Sequence, residues 1–383
     1  MRGLTPMDVS VVIVNYRSAS YTLHAVSSAL EQEVGADGAG RGSMEVLVID
    51  NGSSSEDAAL LEGLPRSVRL IRNEANVGFA AAANQGIREA RGQFICLLNP
   101  DTHLFPGALQ RLLEHLRYHP EVAAAGPKAW WDEERTFLLP FVRLPTPGSM
   151  IVESLAGLDY RIGRSLCRSW HRRDLTLWRS VDPMTIDMLC GACLVIRRDV
   201  LEQVGGFDPA YHLYYEDADW CRRVRARGFR LAYVPAAEIV HYYNQSAQSA
   251  GQQRLEWMIR SRRYYLERQF GRRRAALCAR VDAAAGRLAG RWRAAPPRSL
   301  YVDLGPQQEP PLFSDEEGGV ERDVLFEASH HWTFVFKAAA FRPTPALRLP
   351  LPIWKRLQPG RYYTRLTDLA TPSRERIWSW QKV

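Results

Sequence analysis

The sequence predicts an α/β protein: a mostly parallel, Rossmann-like sheet with flanking helices, then a basic helical segment, then a small, mainly β domain. Three observations carry that expectation. The first hundred residues alternate apolar runs with helix-period segments, the pattern that builds right-handed βαβ units. Between Arg254 and Arg298, thirteen arginines stand against three acids, which holds more than the whole formal charge of +8. After Leu300 the texture changes to short alternating segments such as "DVLFEAS" and "ERIWSWQ". The expected domains are residues 1–250, 251–299 and 300–383.

The chain has 383 residues, enough for one large α/β domain and something smaller. Hydrophobic content of 46% and charged content of 24% are ordinary for a globular protein. No stretch approaches the roughly 18 apolar residues of a membrane-spanning helix. "MRGLTPMDVSVVIVNY" holds an apolar run too short for a secretory leader and reads as a first strand. Six cysteines without framework spacing point to a reducing, cytoplasmic compartment. Cys190 and Cys193 form a C-x-x-C inside an apolar strand pattern with no second pair to complete a zinc site, so both read as buried small residues.

The elements follow in order. "VSVVIVNY" (9–16) is a continuous apolar run of the kind a buried parallel strand shows. A helical pattern comes next (Tyr21, Leu23, Ala25, Val26, Ala29, Leu30), then a glycine-rich loop, "EVGADGAGRGS". "MEVLVIDNGSS" is the second strand and "VRLIRNEANVGFA" contains the third. "AAANQGIREARG" is a helix stopped by Gly92, and "QFICLLNPD" is the fourth strand. Residues 126–183, rich in Pro, Trp and Arg, read as irregular: an acceptor-binding flap or a long surface connection. Order resumes with a strand, a helix, the turn "GGFDP", a helix beginning near Glu216, and a strand ending in His241. From 254 to about 290 the pattern is helical, with Leu266, Phe270, Leu277, Val281, Ala284 and Leu288 as its apolar stripe. "AAPPRS" breaks it.

In such sheets ligands bind beyond the carboxyl ends of the strands. Asn15, Asp50 and Asp101 stand at three of the first four strand ends. Neither G-x-G-x-x-G nor a Walker motif is present, so phosphates are not held on a glycine-rich turn, and a divalent metal on carboxylates is the common substitute.

An ordered series of motifs now resembles a known family. "VSVVIVNY", "VLVIDNGSSSED", "NEANVGFAAAANQGI", "LLNPDT", "GACLVIRRDVLEQVGGFD", "YYEDADWCRRVRARG" and "VHYYNQS" together resemble a family 2 glycosyltransferase of the GT-A fold, in its bacterial rhamnosyltransferase-like group. The resemblance spans residues 8–250 and implies inverting transfer of a sugar from a nucleoside-diphosphate donor to an acceptor hydroxyl. It implies that Asp50 contacts a uracil or thymine ring and that Asn76, Gly78 and Asn84 lie along the nucleoside. Asn15 joins them as a strand-end donor-site residue. Asp101 matches the last acidic position of the family's metal-binding D-x-D, whose first position is here Asn99, a weaker ligand for a hard cation. His241 matches a histidine that completes the coordination of Mg2+ or Mn2+ in some relatives.

The chemistry explains the residue types. Displacing a nucleoside diphosphate builds charge on its β-phosphate, which a metal at Asp101 and His241 would stabilise. The attacking hydroxyl must lose a proton, and Asp217, the second residue of "ED", is the expected general base. Neighbouring Glu216 and Asp219 would raise its proton affinity by like-charge repulsion. Plainer readings stand beside these: "EDADW" is also a favourable acidic first turn, Asp101 a turn-former after Pro100, and His241 a packed strand-end side chain. Arg222 and Arg223 could approach the diphosphate or simply complement a helix C-terminus.

The arginine-rich helix fits attachment to an anionic membrane surface at the inner face of the cell membrane, or a helix packed by its stripe with its arginines solvated. Nucleic acid is not an expected partner, since no recognition motif accompanies the charge. In the last domain Trp332, Phe334 and Phe336 alternate as one face of a core strand, and no role is assigned to it. The expected partners are a TDP- or UDP-type sugar donor and a glycan or polyprenyl-diphosphate-linked acceptor in cell-surface polysaccharide synthesis. Two rivals remain: a non-catalytic nucleotide- or sugar-binding module on a degenerate domain, and a nucleotidyltransferase, whose basic glycine-rich loop is missing.

Overall fold

A computed structural model describes residues 7–32, 43–243, 245, 251–289, 300–314, 323–332, 334–335, 337–344, 346–371 and 375–383. Most of the glycine-rich loop, and "AAPPRS", lie outside them. The chain divides into two compact units: residues 1–129, 142–144 and 180–269, and residues 130–141, 145–179 and 270–383.

The chain opens with β1 (Val9–Asn15), α1 (Ala19–Leu30), β2 (Met44–Asn51), α2 (Ser55–Leu61), β3 (Val68–Asn73), α3 (Phe79–Glu89), β4 (Phe94–Leu98), β5 (Thr102–Leu104), α4 (Ala108–Tyr118) and β6 (Val122–Trp130). Helices α5 (Pro147–Ala156), α6 (Tyr160–Leu166) and α7 (Arg168–Arg179) belong to the second unit. The first unit resumes with β7 (Met184–Ile186), β8 (Cys193–Arg197), α8 (Arg198–Val204), α9 (Glu216–Ala226), β9 (Arg230–His241) and α10 (Gly251–Phe270). Then come α11 (Arg272–Ala289), β10 (Tyr301–Gln307), β11 (Leu312–Ser314), β12 (Val324–Ser329), β13 (Ala338–Arg342), β14 (Ala346–Arg348), α12 (Leu351–Arg356), β15 (Gly360–Asp368) and β16 (Glu375–Lys382).

The first unit is built on a nine-stranded sheet of order β3-β2-β1-β4-β8-β6-β9-β5, with β7 on β9. β3, β2, β1 and β4 run parallel, as their uninterrupted apolar runs require. Beyond β4 the sense reverses: β8 is antiparallel to β4 and β6, and β9 to β5 and β7. All seven residues of β1 are buried. Val9, Val11 and Ile13 pack with Ala25 and Val26 of α1 and with Leu109, Leu112 and Leu116 of α4. On β1's other face α3 approaches closely: a Cβ on Gly86 would lie 2.3 Å from Val12 Cγ1. Truncating a core leucine such as Leu112 to alanine would cost about 2–5 kcal/mol.

The second unit holds a five-stranded sheet, β10-β16-β15-β12-β13, antiparallel except for β10 on β16, and a β11–β14 ribbon. Phe313, Phe326, Ile353, Trp378 and Trp380 form its core. Inside it lies a charged network. Glu327 accepts from Arg365 Nε at 2.7 Å and pairs with His171 at 3.3 Å, while Lys337 Nζ donates to Asp174 at 2.9 Å.

Four sequence readings change here. Residues 126–183 are not irregular but carry α5–α7, because Thr146 and Ser149 form a reciprocal cap with Pro147 in the first turn, and Asp159 caps α6. The basic helix is two helices, broken at Gly271, whose φ of +85° is left-handed. The α11 residues buried are Ala275, Cys278 and Ala285, whereas Leu277 and Leu288 of the expected stripe are exposed. Of the C-x-x-C pair only Cys193 is buried; Cys190 is exposed. Phe334 is buried but sits at φ +53° ahead of β13, so Trp332 and Phe334 are not strand residues, and Phe336 lies outside the described residues.

Candidate active site

Sheet register assembles the donor side. Asn15 and Asp50 are Cα partners across β1 and β2, as are Asn51 and Asn73 across β2 and β3. The Asn15 amide is fully used: Nδ2 donates to Asp50 Oδ1 at 3.2 Å and Ser53 Oγ at 2.9 Å, while Oδ1 accepts from Ser18 and Thr22. Asn15 therefore orients Asp50, and Asp50 is the group presented at the strand end. Asn51, which the sequence reading passed over, is the hub of the next loop. Its Oδ1 accepts from Asn73 Nδ2 and Val77 N, and its Nδ2 donates to Asn76 Oδ1 at 2.9 Å. Asn76 Oδ1 also accepts from Gly78 N at 2.9 Å.

Two glycines make this loop possible. Gly52 has φ +75°, and a Cβ there would lie 2.5 Å from the Ala75 carbonyl carbon. Gly78 has φ +90°, and its Cβ would meet His212 Nδ1 at 2.9 Å. Asn84 is occupied elsewhere: Oδ1 accepts from Phe207 N at 2.9 Å and Nδ2 donates to Phe207 O at 2.7 Å, a two-point clamp on the "GGFDP" turn.

The residues expected to hold a metal come from the antiparallel half. Thr102 of β5 is the Cα partner of His241 on β9, so Asp101, one residue earlier, meets the histidine at the strand end. His241 Nε2 lies 3.4 Å from Asp101 Oδ1, and Asp101 Oδ2 accepts from Gln245 N at 2.9 Å. Asn99 is half-buried and anchored by its backbone: its N–H donates to Ala192 O and its carbonyl accepts from Thr102 N.

The acid cluster opens α9. Tyr214 and Tyr215 have φ of +67° and +69°, two consecutive left-handed non-glycine residues that turn the chain sharply into the helix. Glu216 is buried, and its Oε2 has no hydrogen-bond partner among the described residues. Burial first and the adjacent Asp217 second push its carboxyl well above the usual range. Burial also lifts Asp217, to about 6, against N–H donors from Ala218 (2.7 Å) and Gly191 (3.3 Å). Asp219 does not supply the expected repulsion. It accepts from Arg223 Nε at 2.8 Å, Gln269 Nε2 at 2.7 Å and Tyr211 OH, which neutralise it inside the core. Arg223 also donates to the Val204 and Gly206 carbonyls, and Arg222 Nε to Tyr265 OH, so both follow the plainer, structural reading.

Asp101, Glu216 and Asp217 share one neighbourhood. The charges of all three act on Cys190, which is itself exposed. Burial raises the Tyr214 hydroxyl, Arg254 of α10 opposes that shift, and Glu216 and Asp101 add to it. Tyr214 precedes Glu216 by two residues, and Cys190 precedes Gly191, whose N–H donates to Asp217 at 3.3 Å, so both border the acids. No local pattern signals the place of Cys190, because it lies in another segment and only folding adjoins the two.

A divalent cation fits this corner in part. Among the described residues no three His, Cys, Asp or Glu side chains form a metal cluster. Asp101 and His241 offer one hard oxygen and one imidazole, the small protein share that Mg2+ or Mn2+ takes when substrate phosphates supply the rest.

Comparison with known proteins adds the family. The model of glycosyl transferase family 2 matches residues 10–205, just over half the chain, and that of glycosyl transferase family group 2 matches 160–296. An N-acetylglucosaminyl-diphospho-decaprenol L-rhamnosyltransferase of Mycobacterium tuberculosis is 30% identical over 214 residues, 52% of this chain and 66% of that one. The rhamnosyltransferase WbbL of Escherichia coli is 34% identical over 84 residues, 22% of this chain and 32% of its own. The chain thus spans about two thirds or less of these relatives' lengths. A mannosyltransferase from Pyrobaculum calidifontis, solved with GDP-Man and Mn2+, aligns with TM-score 0.40 and 15% identity over 74% of this chain and 76% of that one.

Proposed function

The chain belongs to glycosyl transferase family 2, and from that premise we propose that it is an inverting GT-A enzyme of cell-surface polysaccharide synthesis. It takes a sugar from a pyrimidine nucleoside-diphosphate donor, L-rhamnose from dTDP-rhamnose ahead of a UDP-hexose, and moves it to a hydroxyl of a glycan or lipid-linked acceptor. The names of the relatives support rhamnose. The observation that carries the reading is buried Glu216 next to half-buried Asp217, in one neighbourhood with Asp101, while Asp219 of the same turn is neutralised.

Asp50, held by Asn15, faces the base, and the Asn51–Asn76–Gly78 loop shapes the edge beside it. Asp101 and His241 hold the divalent metal, which when bound supplies Lewis-acid stabilisation of the leaving diphosphate. The acceptor oxygen bonds to the anomeric carbon as the bond to the diphosphate oxygen breaks, and its proton passes to Asp217. A carboxyl at about 6 is ionised at neutral pH yet basic enough to take that proton. Burial and the adjacent Asp217 raise the Glu216 carboxyl well above its usual range, so Asp217 is the member of the pair proposed to take the proton.

The test is a thermal-shift panel with uridine, thymidine, guanosine and adenosine diphosphates, each with and without Mn2+ or Mg2+. Binding to the native state raises the midpoint by linkage. The expected result is a pyrimidine-selective, metal-dependent rise that Asp101→Ala abolishes. A well-folded protein with no shift for any nucleotide would overturn the donor site, and nucleotide binding without turnover would favour the non-catalytic binding module.

A further inference from the structure

The large apolar side chains exposed near the start of α10 have no use in the sugar-transfer site. One side of this helix is fixed to the first unit. Ser261 Oγ donates to Leu213 O at 2.8 Å, Tyr264 OH donates to Asp208 at 2.9 Å, Gln269 donates to Asp219 at 2.7 Å, and Tyr265 is fully buried. Over its first turns the helix leaves Leu255, Met258 and Ile259, at i, i+3 and i+4, exposed by 55%, 39% and 58%, whereas Tyr265 and Leu266, a heptad after Met258 and Ile259, are buried. Arg260 and Arg263 are exposed beside them. From 254 to 268 the helix has five arginines against Glu256 and Glu267, and Glu267 is engaged by Arg263 at 2.8 Å.

We infer that this face of α10 docks on an anionic lipid bilayer surface, with Leu255, Met258 and Ile259 among the acyl chains and the arginines at the headgroups. An exposed apolar patch edged by arginines, at the start of a helix anchored along its later turns, has the composition of an interfacial helix. No helix among the described residues is long and apolar enough to cross a membrane, so the contact is one of lying on the surface. A second copy of the chain suits the face less well. A two-fold contact would set like-charged arginines against one another, and three side chains fall far short of the roughly 800 Å² per partner of a stable interface. The docking stands independently of sugar transfer. Its use rests on the proposed function: Ser261 of the same helix is bonded to Leu213, three residues before Glu216, so docking holds the site beside a lipid-linked acceptor.

The full chain is sedimented with vesicles of phosphatidylcholine, alone or mixed with phosphatidylglycerol. The expected result is binding to the mixed vesicles only, weakened by salt, falling by at least about tenfold in Leu255→Ser/Ile259→Ser and more modestly in Arg260→Gln/Arg263→Gln. Thermal midpoints verify folding, and Ile259→Gln alone, expected to weaken binding several-fold, replaces the double variant if that unfolds. Equal binding to both vesicle types, no binding, or binding unchanged by the serine pair overturns the inference. So does a dimer in sedimentation velocity that the serine pair dissolves, which would assign the face to a second copy. The nucleotide panel on the same samples separates the two claims. Nucleotide shifts without vesicle binding reject only the docking, and vesicle binding without nucleotide shifts rejects only the donor site.

Discussion

Three acids share the first turn of α9, and their neighbours give them different parts. Asp219 is met by Arg223 and Gln269, whereas Glu216 is buried and Asp217 half-buried with no cation on them among the contacts described. As the proposed general base, Asp217 must be ionised, so kcat/KM is predicted to fall as pH drops below about 6 and to be level above it. That apparent value belongs to the coupled pair. In Asp217→Asn the acid limb disappears and the rate falls by about 10²–10⁴-fold with donor affinity kept, as single-turnover rates and donor titration will show. Asn84 is predicted to behave differently. Asn84→Ala leaves both polar groups of Phe207 unclamped and costs about 2 kcal/mol of stability, read by urea titration, while the nucleotide affinity of the folded protein changes by less than about threefold. A larger loss of affinity would return Asn84 to the nucleoside.

At the scale of elements, register does what no single motif does. Pairing Thr102 with His241 sets Asp101 beside the imidazole across 140 residues of sequence, and pairing Asn15 with Asp50 sets the donor edge. The parallel half was legible because strands buried on both faces must be continuous apolar runs. The α5–α7 region was not, since its helices carry many arginines and tryptophans and blur the apolar period; their signals were caps. Thr146→Ala removes a reciprocal cap and is predicted to lower the stability of the second unit by about 1 kcal/mol, measured by calorimetry, with Thr146→Ser restoring most of it. At Gly271 the helical period runs straight through the break, and only the left-handed backbone reveals two helices.

At the scale of the molecule, the two units respond to pH with opposite sign. Burial alone would raise the Glu327 carboxyl, but Arg365 and His171 overrule it and hold the group well below its usual range. The folded second unit therefore binds that proton more weakly than the unfolded chain. This stabilisation is complete above the ordinary carboxyl value near 4.5 and is lost as pH falls below it. Glu216 and Asp217 are raised, so their contribution is most favourable below the ordinary values and declines as pH climbs through about 6. Scanning calorimetry from pH 3 to 8 should show the second unit losing stability at the acid end while Glu216→Gln raises the first unit's midpoint at pH 7–8. Glu327→Gln strands the buried Arg365 cation, costs about 3–5 kcal/mol and flattens the acid loss.

By itself the sequence determined the βαβ framework, the strand-end positions of Asn15, Asp50 and Asp101, the acidic start of α9 and the concentration of arginine after residue 250. Each follows from local pattern, because hydrophobic period and strand ends are written within a few residues. The tertiary structure decided which polar groups are available for chemistry. Asn15, Asn84, Asp219 and Arg223 satisfy one another or the backbone, whereas Asp101, Glu216, Asp217 and Cys190 converge. Several of those partners come from segments 35 to 123 residues away, so which groups are engaged is settled only once the chain has packed.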